Sequence, residues 1–172
     1  VFINEIDSDD TSTDDEEFVE LKSTIPNFPL DGYVLVFFNG SNNLSYFSLD
    51  LDGYITDING NIHFGNSAVS PSPAFIFPGA TLQNGPDVVA IYLGNATDFP
   101  INSAATSINL IDAIAYSTSS TQPTILMTSL GISTFVNENI NGAKDTQSIQ
   151  RKNDGTFEVK SPTPGVNNDG SG

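Results

Sequence analysis

Apolar residues in this chain gather in short, strand-length runs separated by clusters of Gly, Pro, Asn, Asp and Ser. Val1 to Ile6 (VFINEI) predicts a first strand, and an acidic, Ser/Thr-rich loop from Asp7 to Asp15 divides it from a second at Glu16 to Lys22. Pro26 and Pro29 then break the chain. Gly32 to Asn39 (GYVLVFFN) is a continuous apolar run suited to the centre of a sandwich, and Asn39-Gly40 closes it with a turn signal. Leu44 to Leu51 alternates loosely, and the Gly/Asn/Asp-rich stretch Asp52 to Gly60 leads to a short strand near Asn61 to Phe64. This region predicts a hairpin with a decorated loop.

Ala74 to Phe77 is bracketed by Pro71, Pro73 and Pro78, which confines it to a short edge strand. Asp87 to Leu93 (DVVAIYL) and Leu110 to Tyr116 (LIDAIAY), dense in β-branched and aromatic residues, predict two core strands. A Ser/Thr tract from Ser117 to Thr124 precedes Ile125 to Leu130, which predicts a short helix or a single helical turn. Gln147 to Lys152 and Thr156 to Lys160 form a closing hairpin around Asn153-Asp154-Gly155. No long amphipathic helix and no repeat of 20 to 50 residues is visible, so bundles and solenoids are excluded. Many short strands with turn signals predict an all-β antiparallel sandwich over residues 1–160, followed by an extended Pro/Gly/Asn tail at 161–172.

Composition sharpens this picture. The 172 residues suffice for one domain with a real core, and the apolar content is rich in Phe (12) with a single Met and no Trp. Cysteine is absent, so neither disulfides nor thiolate metal sites contribute, and stability rests on packing. Five basic residues against 21 acidic ones give a net charge of -16, which repels nucleic acid and anionic lipid headgroups. No apolar run reaches the roughly 18 residues of a membrane span, so no membrane insertion is expected. Only 15% of residues are charged, and Ser, Thr, Asn and Gly supply much of the polar surface, as suits the outside of a cell. The chain opens at Val1 directly inside a strand-like segment, which fits a secreted, processed product.

Certain blocks have a family look. FINEI at Phe2 to Ile6 followed by EFVEL at Glu17 to Leu21 resembles the opening strands of the lamin tail domain family. LDGYVLVFFNG at Leu30 to Gly40, LDLDGYITDINGN at Leu49 to Asn61, LQNGPDVVAIY at Leu82 to Tyr92 and LIDAIAY at Leu110 to Tyr116 resemble its bacterial branch in the same order. SIQRKNDGTF at Ser148 to Phe157 with SPTPGVNN at Ser161 to Asn168 is similar to the closing hairpin and tail. The resemblance implies an immunoglobulin-like sandwich with decorated loops, found in the bacterial branch in secreted and surface proteins. It carries over no catalytic residues.

Little in the chain could catalyse. The only histidine, His63, lies in a strand-like segment, and no Ser sits in a Gly-x-Ser-x-Gly elbow, so hydrolytic triads lack their base. No cofactor is required. Calcium is the candidate ion: Asp7, Asp9, Asp10, Asp14 and Asp15 place hard oxygen ligands in one loop, though Ser12 occupies the sharp-turn Gly position of an EF-hand. Asp50, Asp52, Asp57, Asn59 and Asn61 form a second candidate set, which ordinary Asx turns would also explain. Asn39, Asn43 and Asn95 begin glycosylation acceptor triplets, and Thr11 to Thr13 and Ser117 to Thr121 could carry O-linked sugars. Asn167 to Gly172 should fray if free, so this segment, or Val1 to Ile6, is a candidate for strand addition to a neighbouring subunit. The expected function is therefore a non-catalytic extracellular structural protein, self-associating through edge strands or termini into a surface fibre or matrix. The alternative is a calcium- or glycan-binding accessory or adhesion module of a secreted hydrolase.

Overall fold

The structure, a computed structural model, describes residues 1–11 and 13–169. Its strands are β1 (Phe2–Asp7), β2 (Phe18–Lys22), β3 (Tyr33–Asn39), β4 (Leu44–Asp50), β5 (Asn61–Gly65), β6 (Asp87–Leu93), β7 (Leu110–Ser117), β8 (Phe135–Asn137), β9 (Ser148–Arg151) and β10 (Phe157–Lys160). One helix, α1 (Thr124–Leu130), lies between β7 and β8. Two five-stranded sheets result, ordered β10-β9-β1-β2-β5 and β4-β3-β6-β7-β8. The chain is an all-β sandwich.

Strand alternation explains how the layers meet. Ile6, Val19, Leu21, Phe64 and Ile149 of the first sheet pack against Leu35, Phe37, Val89 and Ile91 of the second. The opposite faces of β3 and β6 are apolar too. Val34, Val36, Phe38, Val88 and Tyr92 pack under Leu126, Met127 and Leu130 of α1. This two-sided burial is why GYVLVFFN lacks polar alternation. The helix ends at Gly131, whose φ of 70° is a left-handed conformation that glycine adopts without strain.

Several expectations change. The second sheet is mixed, because β7 and β8 run parallel, a pairing that α1 permits as the crossover between them, while the first sheet is antiparallel throughout. The predicted strand at Ala74 to Phe77 is reduced to an isolated bridge between Gly65 and Ile76, as its flanking prolines would impose. β5 leaves the β3–β4 hairpin for the other sheet, where it pairs with β2. The second strand starts at Phe18, and the closing hairpin is shorter than the sequence pattern suggests.

Val1 to Ile6 and residues 161–169 both lie against the first sheet. β1 is the central strand of its sheet, between β9 and β2, so Val1 to Ile6 has no free edge to donate to a neighbour. Residues 161–169 cross the outer face of the same sheet, while Gly170 to Gly172 lie outside the described residues. In this arrangement Val1 to Ile6 and residues 161–169 are engaged with their own sheet.

Phe37 is the hub of the core aromatics, with Tyr46, Phe47 and Phe77 rings at 5.9, 5.1 and 5.7 Å. Phe37→Ala should cost about 3–5 kcal/mol of unfolding free energy, measured by urea titration; a loss under about 1 kcal/mol would show that the neighbouring rings refill the space.

Candidate functional site

Phe2 pairs with Lys22 at one end of the β1–β2 ladder and Asp7 with Phe18 at the other, about 17 Å apart along the strand. The two ends differ in charge. Beside Phe2 an open groove of about 800 Å³ is lined by Lys22, Arg151 and Lys152, three of the five basic residues in the chain. Asn59 and Asn167 join them.

The Arg151 guanidinium lies over the Phe2 and Phe157 rings, at 5.3 and 4.6 Å, and donates to Asp112 Oδ2 at 2.6 Å. Its charge is thus largely spent within the fold. Lys22 differs, because its Nζ donates to neutral oxygens, Asn61 Oδ1 at 2.8 Å, the Asn59 carbonyl and Asn167 Oδ1. Those contacts position the ammonium without neutralising it. Among the described residues, the Lys152 ammonium has a distant Asp154 carboxylate at 3.9 Å.

The outer face of the first sheet carries two buried carboxyls under the tail. Glu5 accepts from Ser148 Oγ at 2.6 Å, from Gln150 Nε2, and from both the N–H and hydroxyl of Thr163. Glu20 accepts from Asn4 Nδ2 at 2.8 Å and from the Gly165 N–H at 2.7 Å. Burial pushes both pKa values up, Glu20 to about 8. The tail is fastened by these acids. His63, the cross-strand neighbour of Glu20, is buried with Nε2 at 2.8 Å from the Pro71 carbonyl.

The opposite end is acidic. Of the first calcium set, Asp7 is buried at the end of β1, Asp9 is paired with Lys144, and Asp10 accepts from the Asp14 and Glu16 N–H groups. Asp14 is half-buried and Asp15 exposed. Burial, reinforced by Glu138, pushes Asp7 up to about 9. The second set serves local turns: Asp57 Oδ1 accepts from the Asn59 and Asn61 N–H groups, Asp50 from those of Asp52 and Ala96, and Asp52 from that of Gly32. Among the described residues, no group of three or more His, Asp or Glu side chains is already drawn together to hold a metal.

Of the three acceptor asparagines only Asn95 is exposed; Asn39 is tied to Gln83 and the Ser41 N–H, and Asn43 is half-buried at a φ of 63°. In the Ser/Thr tract Ser117 is buried while Ser119 to Thr121 are exposed. The run Thr11 to Thr13 includes Ser12, which lies outside the described residues.

The sequence reading placed Glu17 only within the EFVEL strand and did not single out the buried Glu138 and Asn66. Glu17 was legible from alternation, since it shares a face with the core residues Val19 and Leu21. Glu138 was not. It follows β8, distant in sequence, and receives Ser8 through both its N–H and hydroxyl.

Comparison of the chain with protein-family models, with curated proteins and with solved structures yields no match.

Glu20 gives this face a pH signature. Its folded-state pKa of about 8 stands above the ordinary 4.5, so the native state holds this proton more tightly than the unfolded chain does. Stability must then fall as pH rises between those two values. Melting temperature in chelator-containing buffer should decline from about pH 5 to about pH 9, and Glu20→Gln should flatten part of that decline. An identical pH profile in the variant would show that Glu20 titrates as an ordinary exposed carboxyl.

Proposed function

We propose that this chain is a non-catalytic extracellular structural subunit of lamin-tail type whose copies join head to tail. The acidic loop of one copy, led by the exposed Asp15 and Glu16, enters the Lys22–Lys152 groove of the next. The observation that carries this reading is the separation of charge: basic side chains concentrate in one groove, and the 7–17 acids stand at the far end of the same ladder. A contact between unlike ends is heterologous, so repetition builds a filament rather than a closed dimer.

Net charge does not forbid such contact. At physiological salt the Debye length is about 8 Å, which screens the repulsion of distant acids while leaving groups in contact attracted. Ile25 and Ile58, 57% and 68% exposed, adjoin the groove residues Thr24 and Asn59 and supply apolar area at the same end. The family reading is supported by order: FINEI and EFVEL fall on the paired strands β1 and β2, and SIQRKNDGTF forms the β9–β10 hairpin. An immunoglobulin-like arrangement of the sandwich belongs to that reading.

A second reading, an accessory or adhesion module, is favoured by groove chemistry. Side-chain amides of Asn59 and Asn167 beside the Phe2 ring suit a glycan. An N-linked sugar at the exposed Asn95 is compatible with either reading.

Sedimentation velocity and negative-stain microscopy decide. Wild type should form concentration-dependent polymers at low ionic strength that dissolve at about 1 M salt, where the Debye length is about 3 Å. Lys22→Glu and Lys152→Glu should remain monomeric. A wild-type monomer at every concentration and salt removes the structural reading, and polysaccharide binding lost in Lys22→Glu would then establish the second.

A further inference from the structure

Buried acceptor oxygens meet on the inner face of the first sheet, where β2 begins and β5 ends. Val19 and Leu21 of β2 and Ile62 and Phe64 of β5 turn toward the second sheet. Alternation carries that face on to Glu17 and Asn66, one step beyond the Phe18–Gly65 pair. The Asn66 N–H donates to the Glu17 carbonyl at 2.9 Å, so the two are cross-strand neighbours. Asp7, opposite Phe18, shares the outer face with Glu5 and Glu20 and takes no part.

Glu17 is 0% exposed, yet among the described residues neither of its carboxylate oxygens has a hydrogen-bond partner. Asn66 Oδ1 beside it is buried and unpartnered too. Its identity as the oxygen is fixed, because Nδ2 donates to the Asp14 carbonyl at 2.8 Å and the Gly79 carbonyl at 3.0 Å. Native proteins leave few buried polar atoms unsatisfied, so adjacent acceptors without a donor call for a positive charge between them.

The acidic loop is laid over this pair. The Asp14 carbonyl takes the Asn66 amide, and the Asp15 carbonyl accepts from the Ala68 N–H at 3.2 Å. Burial pushes Glu17 up to about 9, and four carboxylates add to the shift, Asp14 foremost, then Asp10, Glu138 and Asp9. Three of them are engaged: Asp10 with backbone N–H groups, Glu138 with Ser8, and Asp9 with Lys144. Lys144 is shared further with Asp145. Asp14, half-buried, is the carboxylate left to face Glu17.

We propose that Asp14, Glu17 and Asn66 hold a hard divalent cation, calcium, where the acidic loop closes over the ends of β2 and β5. Two carboxylates and an amide oxygen are ligand types calcium prefers, and main-chain carbonyls and water complete its six to eight positions. Asp14 comes from the loop set read from sequence; Glu17 and Asn66 come from the strands beneath it. The inference is independent of the head-to-tail reading, which uses the exposed Asp15 and Glu16.

The competing source of positive charge is the proton, and the test separates the two. Melting temperature of the full chain is measured at about pH 8 in chelator, in calcium and in an equal concentration of magnesium, and calorimetric titration with calcium gives the stoichiometry. Calcium should raise the melting temperature beyond magnesium, with one ion bound per chain, since binding to the native state alone stabilises it by mass action. Glu17→Gln should melt at least as high as wild type in chelator, because it removes a carboxyl whose charged form burial disfavours, yet lose the calcium response. Asp14→Asn, at a half-buried loop position away from the core, should weaken calcium binding about tenfold or more, since affinity follows ligand charge. Asp7→Asn, on the opposite face, should keep the response. A wild type that responds to calcium no more than to magnesium overturns the proposal in favour of a protonated Glu17. A calcium shift that survives undiminished in Glu17→Gln or in Asp14→Asn also overturns it, by placing the ion elsewhere on the acidic surface.

Discussion

The fold depends on the central pair β3 and β6 being apolar on both faces. Leu35, Phe37, Val89 and Ile91 point into the space between the sheets, while Val34, Val36, Phe38 and Val88 point out toward α1. A strand buried on both sides must be covered on both sides, and this obligation fixes two other features. The helix is retained on the outer face although its seven residues are too few for independent stability. Its presence in turn lets β8 return parallel to β7, delivering Glu138 to the end where β1 finishes.

The first sheet solves its outer face differently. It has no helix, and its outward residues include Glu5, Glu20, His63, Ser148 and Gln150, all buried. The cover is the tail, whose Thr163 and Gly165 N–H groups bind the two glutamates. Buried carboxylates without counter-cations are costly, and the upward shift of both shows that hydrogen bonds offset the cost only in part. The tail is therefore a structural layer of the domain, and its removal would expose both acids and take away their Thr163 and Gly165 donors, leaving Ser148, Gln150 and Asn4.

The local pattern carried most of the strands. Turn signals at Asn39-Gly40 and Asn153-Asp154-Gly155 fell where hairpins form, and the apolar runs at 33–39, 87–93 and 110–117 became the central strands. What the pattern did not carry was partnership. Nothing near Asn61 says that β5 will join β2 instead of β4, and nothing in FVN at 135–137 marks a strand, because its residues are satisfied by β7 and not by local propensity. The candidate site suffered from the same blindness. Counting acids in the 7–15 loop could not show that Asp10 accepts backbone N–H groups and that Asp9 pairs with Lys144. The alternation of EEFVEL, applied to its first turn inward, was enough to single out Glu17; Asn66 and Glu138 required the topology.

Burial divides the acids of that end into two populations with different roles. Asp15 and Glu16 are exposed, keep their hydration until a partner displaces it, and are available for contact between molecules. Asp7 and Glu17 are enclosed, so their charge acts on the stability of the domain.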